Sequence, residues 1–232
     1  MLDMMETPAD LDGAVLGPVD VAVTADRIAF YVDATRDDPT RWSDEAPPGF
    51  GSVLLFAVAD LFLLHPKVAP FTATLLHVDQ SFSYSAPMRA GSTIEMQGTI
   101  TRVRERSGSY FVTFEATGVD DRRTVIESNS TFVLSDQPAP PPDFERAEPP
   151  VHDRGENADS LRSASRSDLV RYAAATRDFN PLHWDHGVAV AAGLPGTVVH
   201  GLLMYAWMTQ AAAHAAGRPV AAAKVRFRSA LH

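Results

Sequence analysis

One short segment of this chain occurs twice, and that repetition limits the fold more than any other feature. Tyr31-Val32-Asp33-Ala34-Thr35-Arg36-Asp37 is matched by Tyr172-Ala173-Ala174-Ala175-Thr176-Arg177-Asp178. Each copy is followed by a proline (Pro39, Pro181), a tryptophan (Trp42, Trp184), a Pro-Gly pair (Pro48-Gly49, Pro195-Gly196) and an apolar run. The alternation of Phe82–Ala86 has a counterpart in Val225–Ser229. Elements recurring in the same order mark a duplicated structural unit. The chain is expected to hold two related domains, 1–134 and 159–232.

Between them, 135–158 is rich in Pro, Glu and Asp and includes Pro138-Ala139-Pro140-Pro141-Pro142. Proline lacks an amide donor and fixes its backbone angle, so this stretch reads as a semi-extended linker. In the first half, Thr24 is positioned to cap a helix over Ala25–Arg36. Val53–Leu64 is apolar nearly all round, as befits a helix enclosed by other elements, and Pro66 ends it. Four strand-like segments follow, His77–Ser85, Thr93–Glu105, Ser109–Thr117 and Thr124–Leu134, rich in β-branched and aromatic residues. Arg106-Ser107-Gly108 and Asp120-Asp121 supply turns. A helix followed by a run of strands gives an α+β fold, an antiparallel sheet packed on a long helix.

The second half repeats this only in part. Ser165 and Asp168 form a capping-box pattern opening Arg166–Arg177, Gly201–Ala216 is the long apolar helix, and Gly217 suits its end. Ala223–Ser229 starts a strand, and the sequence then ends at His232. The second unit is therefore expected to be truncated, leaving an apolar side of Gly201–Ala216 uncovered.

Charge and composition narrow the function. A net charge of -9 disfavours binding to nucleic acid. The absence of cysteine removes disulfides, thiolate metal sites and cysteine nucleophiles, and suits a cytoplasmic location. The acidic N-terminus lacks the order of a secretory signal. Val53–Leu64 is too short to span a bilayer, and Val198–Ala216 is interrupted by polar residues. No membrane association is expected.

Two segments carry candidate chemistry. In Asp178-Phe179-Asn180-Pro181-Leu182-His183, the residue before Pro181 avoids helical backbone, so a turn is expected that can bring Asp178 and His183 together. A carboxylate beside an imidazole is an acid–base pair, although the same residues also serve as a turn acceptor and a surface histidine. In Val198-Val199-His200-Gly201, the first amides of the following helix lack internal partners, and Gly201 admits close approach of a ligand. Such an amide can stabilise an oxyanion, or the glycine can simply allow tight packing.

The run Tyr172-Ala173-x-x-Thr176-x-Asp178-x-Asn180-Pro181-x-His183-x-Asp185, continuing to Ala189, Gly193, Val199, His200 and Gly201, closely resembles the signature of the MaoC-like (R)-specific enoyl-CoA hydratases. The repeat makes the chain similar to their double-hotdog subgroup with a degenerate N-terminal half. The resemblance implies an Asp178–His183 dyad that activates water and a Gly201 amide that holds a thioester oxygen. It places Asn180 and His200 at the substrate site, with Asn180 and Asp185 shaping the loop and His200 chiefly structural. It implies an acyl thioester of coenzyme A or acyl-carrier protein as substrate, no separate cofactor, no metal, and a homodimer, pseudo-dimer or partner subunit.

In the first copy the matching stretch is Asp37-Asp38-Pro39-Thr40-Arg41-Trp42, with arginine where the histidine would stand. Arginine stays protonated and cannot act as a base near pH 7, so that site is expected to be inactive and to shape an acyl tunnel. His183-Trp184-Asp185-His186 has ligand-type side chains but no helix to align them. Two other readings compete: a hotdog thioesterase, which would release free coenzyme A, and a non-catalytic incomplete subunit that borrows strands from a partner.

Overall fold

A computed structural model describes residues 6–138 and 162–232. The expected linker falls mostly outside them; its first residue, Ser135, closes a strand. The chain runs β1 (Val15–Ala22), α1 (Ala25–Thr35), α2 (Gly51–Leu63), β2 (Thr74–Tyr84), β3 (Thr93–Arg106), β4 (Ser109–Asp120) and β5 (Arg123–Ser135). Beyond the linker come α3 (Arg166–Thr176), α4 (His186–Ala191), α5 (Gly201–Ala216) and β6 (Ala222–Arg226). The strands form one antiparallel sheet in the order β1-β3-β4-β5-β2-β6.

Local chemistry sets the element boundaries. Thr24 accepts from the Arg27 amide at 3.2 Å to open α1. Ser165 and Asp168 form the reciprocal capping box of α3. Gly217 ends α5 in the left-handed conformation (φ 65°), where the missing Cβ removes the steric penalty. Ser107-Gly108 and Asp121-Arg122 each take two successive positive φ angles, the backbone of a tight hairpin turn that matches the twist of its strands.

Helix α2 is the centre of the core. Val53, Leu54, Leu55, Val58, Ala59 and Phe62 are all buried, and the helix lies against β1, β3 and β4. Burying each large aliphatic or aromatic side chain contributes about 1.5–3 kcal/mol. The sheet face is shaped to receive it. A Cβ at Gly98 would run into the Phe114 ring, and that ring stacks on Phe62 at 6.0 Å. A glycine on β3 thus leaves room for an aromatic layer on β4.

The repeat reappears in geometry. Helices α1 and α3 pack together, with Tyr31 and Tyr172 in ring contact at 6.1 Å. Thr35 donates its hydroxyl to the Tyr31 carbonyl at 2.9 Å, and Thr176 to that of Tyr172 at 2.8 Å. Arg36 and Arg177 each end their helix at positive φ, 53° and 70°. Strand β6 pairs with β2, placing Ser81 opposite Lys224. With Phe82 matched to Val225, these two residues are also repeat equivalents. The local two-fold relating the halves therefore passes through this pair.

Helix α5 buries Leu202, Leu203, Tyr205, Ala206, Trp207 and Ala213. Met208, Ala211, Ala212, Ala215 and Ala216 are exposed along one side of the helix, the uncovered apolar side expected from the sequence. Among the described residues, no helix is long and apolar enough to cross a membrane.

Candidate active site

The site forms where the end of α3, the turn after it and the start of α5 meet. Asn180 builds the turn: its side chain accepts from the Leu182 amide at 3.2 Å and donates to the Leu75 carbonyl on β2 at 3.3 Å. Pro181–His183 then coil into a single 3-10 turn. Asp185 caps α4 by accepting from the Val188 amide at 3.0 Å. Both residues shape the loop.

This loop brings the side chains of Asp178, His183 and His200 together, with a carboxylate oxygen of the first and one ring nitrogen of each histidine all within 4.8 Å of one another. His183 Nδ1 lies 2.8 Å from the Val198 carbonyl oxygen. A carbonyl can only accept, so Nδ1 carries a proton, and in the neutral ring Nε2 then keeps its lone pair. His200 Nε2 lies 3.2 Å from the Asp178 carbonyl oxygen, which by the same logic leaves Nδ1 bare. Among the described residues that Nδ1 has no partner. The His183 ring is thus held by the backbone of Val198, a contact that the sequence pattern does not advertise.

Burial governs the charges. It pushes the Asp178 carboxyl above its usual range, with His183 and the Asn180 amide pulling it partly back. Burial, and then the neighbouring His183, hold His200 well below its usual value. Tyr172, whose ring lies 5.0 Å from that of His200, donates to Ser52 Oγ at 3.2 Å and is driven upward by burial. A carboxylate raised by its surroundings beside a neutral imidazole is the electrostatic pattern of an acid–base site.

The imidazoles of His183 and His200 stack at 3.7 Å, with planes 23° apart. Lone pairs lie in the ring planes, so nearly parallel rings do not converge on one ion as a tetrahedral centre requires. In the His183-Trp184-Asp185-His186 stretch, Asp185 is occupied with its cap and His186 is exposed; the fold does not gather these four.

Gly201 is the first residue of α5, behind His200 as cap residue. Its amide has no partner inside the helix. A Cβ there would meet the Phe227 ring at 2.9–3.0 Å, so glycine is needed for this aromatic to close over the helix start. Phe227 thus borders the candidate site, and its only sequence signal is the alternation that Val225–Ser229 shares with Phe82–Ala86.

In the first half, Arg41 leans on Trp42 (5.5 Å to the ring centroid) and reaches the Ala213 carbonyl at 3.4 Å. Among the described residues, the groups that act on Asp37 are Asp38, Arg41 and Trp42, with no imidazole among them.

Two family descriptions match parts of this chain. Residues 147–230 match the MaoC like domain, and residues 11–128, half of the chain, match the FAS1-like dehydratase domain region. The chain belongs to the MaoC-like dehydratases. Mesaconyl-C(4)-CoA hydratase of Chloroflexus aurantiacus is 26% identical over 181 residues, which span 72% of this chain and 62% of that enzyme. A solved MaoC-like dehydratase superposes with a TM-score of 0.77 at 22% identity, covering 97% of this chain and 84% of that one. A Mycobacterium tuberculosis protein described as a double hotdog superposes at 0.61, with 13% identity and coverage of 97% and 82%. The MaoC-like chain is accordingly an α+β double hotdog, as its sequence implied.

Proposed function

We propose that this MaoC-like protein catalyses reversible addition of water to a trans-2-enoyl thioester, giving the (R)-3-hydroxyacyl thioester. The observation carrying this reading is the tautomer of His183, whose Nδ1–H is fixed on Val198 and whose bare Nε2 belongs to a ring gathered with the Asp178 carboxylate. An imidazole so held is a base directed at a water molecule. His183 takes a proton as the water oxygen attacks C3. Electron density moves through C2 onto the thioester oxygen, which accepts a hydrogen bond from the Gly201 amide. The Asp178–His183 pair then returns a proton to C2, so water is added with atoms and charge balanced. The acyl group is carried by coenzyme A or acyl-carrier protein. Asp37, with Arg41 in place of histidine, marks the first half as catalytically inactive.

Purified protein is mixed with crotonyl-CoA, and the enoyl-thioester absorbance and free thiol are followed together. Loss of absorbance without thiol release supports the proposal. Thiol release in its place would assign a thioesterase, and activity unchanged in His183→Ala would remove the dyad.

A further inference from the structure

Val198-Val199-His200-Gly201 touches the dyad at several points. The Val198 carbonyl accepts from His183 Nδ1–H at 2.8 Å, and the Val198 amide donates to the Leu182 carbonyl at 3.1 Å. Two residues on, His200 Nε2–H donates to the Asp178 carbonyl at 3.2 Å. The His200 ring meanwhile lies on that of His183, with centroids 3.7 Å and planes 23° apart. The segment leads straight into α5, whose first amide is that of Gly201. One short stretch thus holds the imidazole, the turn carrying the carboxylate and the amide suited to an oxyanion.

The hydrogen bond to Val198 fixes one atom of the His183 imidazole but not the plane of its ring. A flat group packed against the ring removes that freedom, because close-packed side chains keep to one rotamer. His200 is itself immobile enough to serve. It has no exposed surface, and its Nε2–H is anchored on Asp178. The Tyr172 ring lies 5.0 Å from it, and the Tyr172 hydroxyl donates to Ser52 on α2 at 3.2 Å. Ser52 in turn donates to the Gly49 carbonyl at 2.8 Å, so the stack is braced on the first half of the chain. Packing alone calls for a ring here, and the bond to Asp178 calls for a donor. Histidine supplies both.

We propose that His200 is a positioning residue for the Asp178–His183 dyad. Its ring sets the plane of the His183 imidazole, and its Nε2–H holds the turn carrying Asp178 in register with the Gly201 amide. The effect on rate rests on the proposed hydration reaction; the geometry does not. The two stacked rings then carry opposite tautomers, Nδ1–H on His183 and Nε2–H on His200.

Two-bond proton–nitrogen correlation NMR of the intact labelled chain reads both tautomers at about pH 8, above the ordinary imidazole range. Resonances are assigned by their loss in His183→Ala and His200→Leu. Opposite tautomers are expected in the wild type. An Nδ1–H tautomer at His200 cannot donate to the Asp178 carbonyl and would overturn the proposal, whether or not any variant folds. In His200→Leu the His183 Nδ1–H should exchange with water while the amides of α2 stay protected. His200→Phe, which keeps a flat ring, should restore its protection. A protected His183 proton in folded His200→Leu would overturn the role of the ring. With crotonyl-CoA, kcat of His200→Leu should fall about 10²-fold at unchanged KM, the cost of misplacing a reacting group by about 1 Å. An active wild type with kcat unchanged in that variant would also overturn the proposal. Should the wild type not hydrate crotonyl-CoA, the tautomers and proton exchange still decide the positioning role, and the failure falls on the reaction alone.

Discussion

The imidazole of His183 lies against that of His200 with ring centroids 3.7 Å apart, and a proton added to either ring sets a charge against its neighbour. His200 also sits with no exposed surface, which explains why its protonation is suppressed. The arrangement keeps His200 neutral.

Acid should therefore weaken the fold through its buried histidines. Burial lowers His200 well below its usual value and His77 to about 4. The unfolded chain takes up protons at about 6.5, before these folded residues do, so stability is whole above that pH. It declines as pH falls from there to about 4, the His77 value. Urea midpoints measured between these limits should drop, and His77→Phe should flatten the drop. Asp178 has the opposite sign, its contribution being present at low pH and lost as pH rises through its raised value. The difference between wild type and His77→Phe isolates the histidine. An unchanged slope would count against burial as the cause.

Replacing Asp178 by asparagine should separate activity from stability. A carboxyl whose ionisation is opposed by burial costs stability at pH 7, so Asp178→Asn should melt at the same temperature or higher. Hydration of an enoyl thioester should fall by about 10²–10⁴-fold, the range of a general acid–base group. A variant that loses stability while keeping its rate would make Asp178 a structural residue.

Gly201→Ala should strain the contact with Phe227. Forcing an extra methyl against a packed ring costs about 1–3 kcal/mol, and urea denaturation will show it. Phe227→Leu in the same background should recover much of that loss by giving the methyl room. Equal destabilisation in the single and double variants would place the strain elsewhere.

Asp79 joins the halves by charge, accepting Arg226 at 3.0 Å and Lys224 at 3.6 Å. Both cations are largely exposed, so screening keeps their value small. Asp79→Ala should lower stability by no more than about 1 kcal/mol, and added salt should shrink the difference from wild type. A much larger loss in equilibrium unfolding would show that the seam between the halves depends on these charges.

The elements best foreseen from sequence carry their own boundary chemistry. Gly201–Ala216 was legible from its apolar run and following glycine, and the β3–β4 and β4–β5 hairpins from their turn residues. Strand β1 was missed because Gly17-Pro18 interrupts its alternation; the register there shifts between Leu16 and Val19, which an edge strand tolerates. Helix α4 is a short turn-and-a-half held by the Asp185 cap, below the length at which periodicity speaks. The closeness of Asp178 and His183 followed from the proline turn. The Val198 tether, the stacked His200 and the Phe227 ring did not, because each depends on contacts between segments that no local pattern encodes.

The pairing of Ser81 with Lys224 has a consequence for how the molecule tolerates change. Two separate subunits meeting edge to edge come apart on dilution, and each must then keep a surface able to find its mate. Within one chain the partner edge is always present at high effective concentration, however little protein there is. Under the proposed reaction the first half serves the site without supplying its base, and position 41 is released from holding a histidine to pack on Trp42 and reach the Ala213 carbonyl.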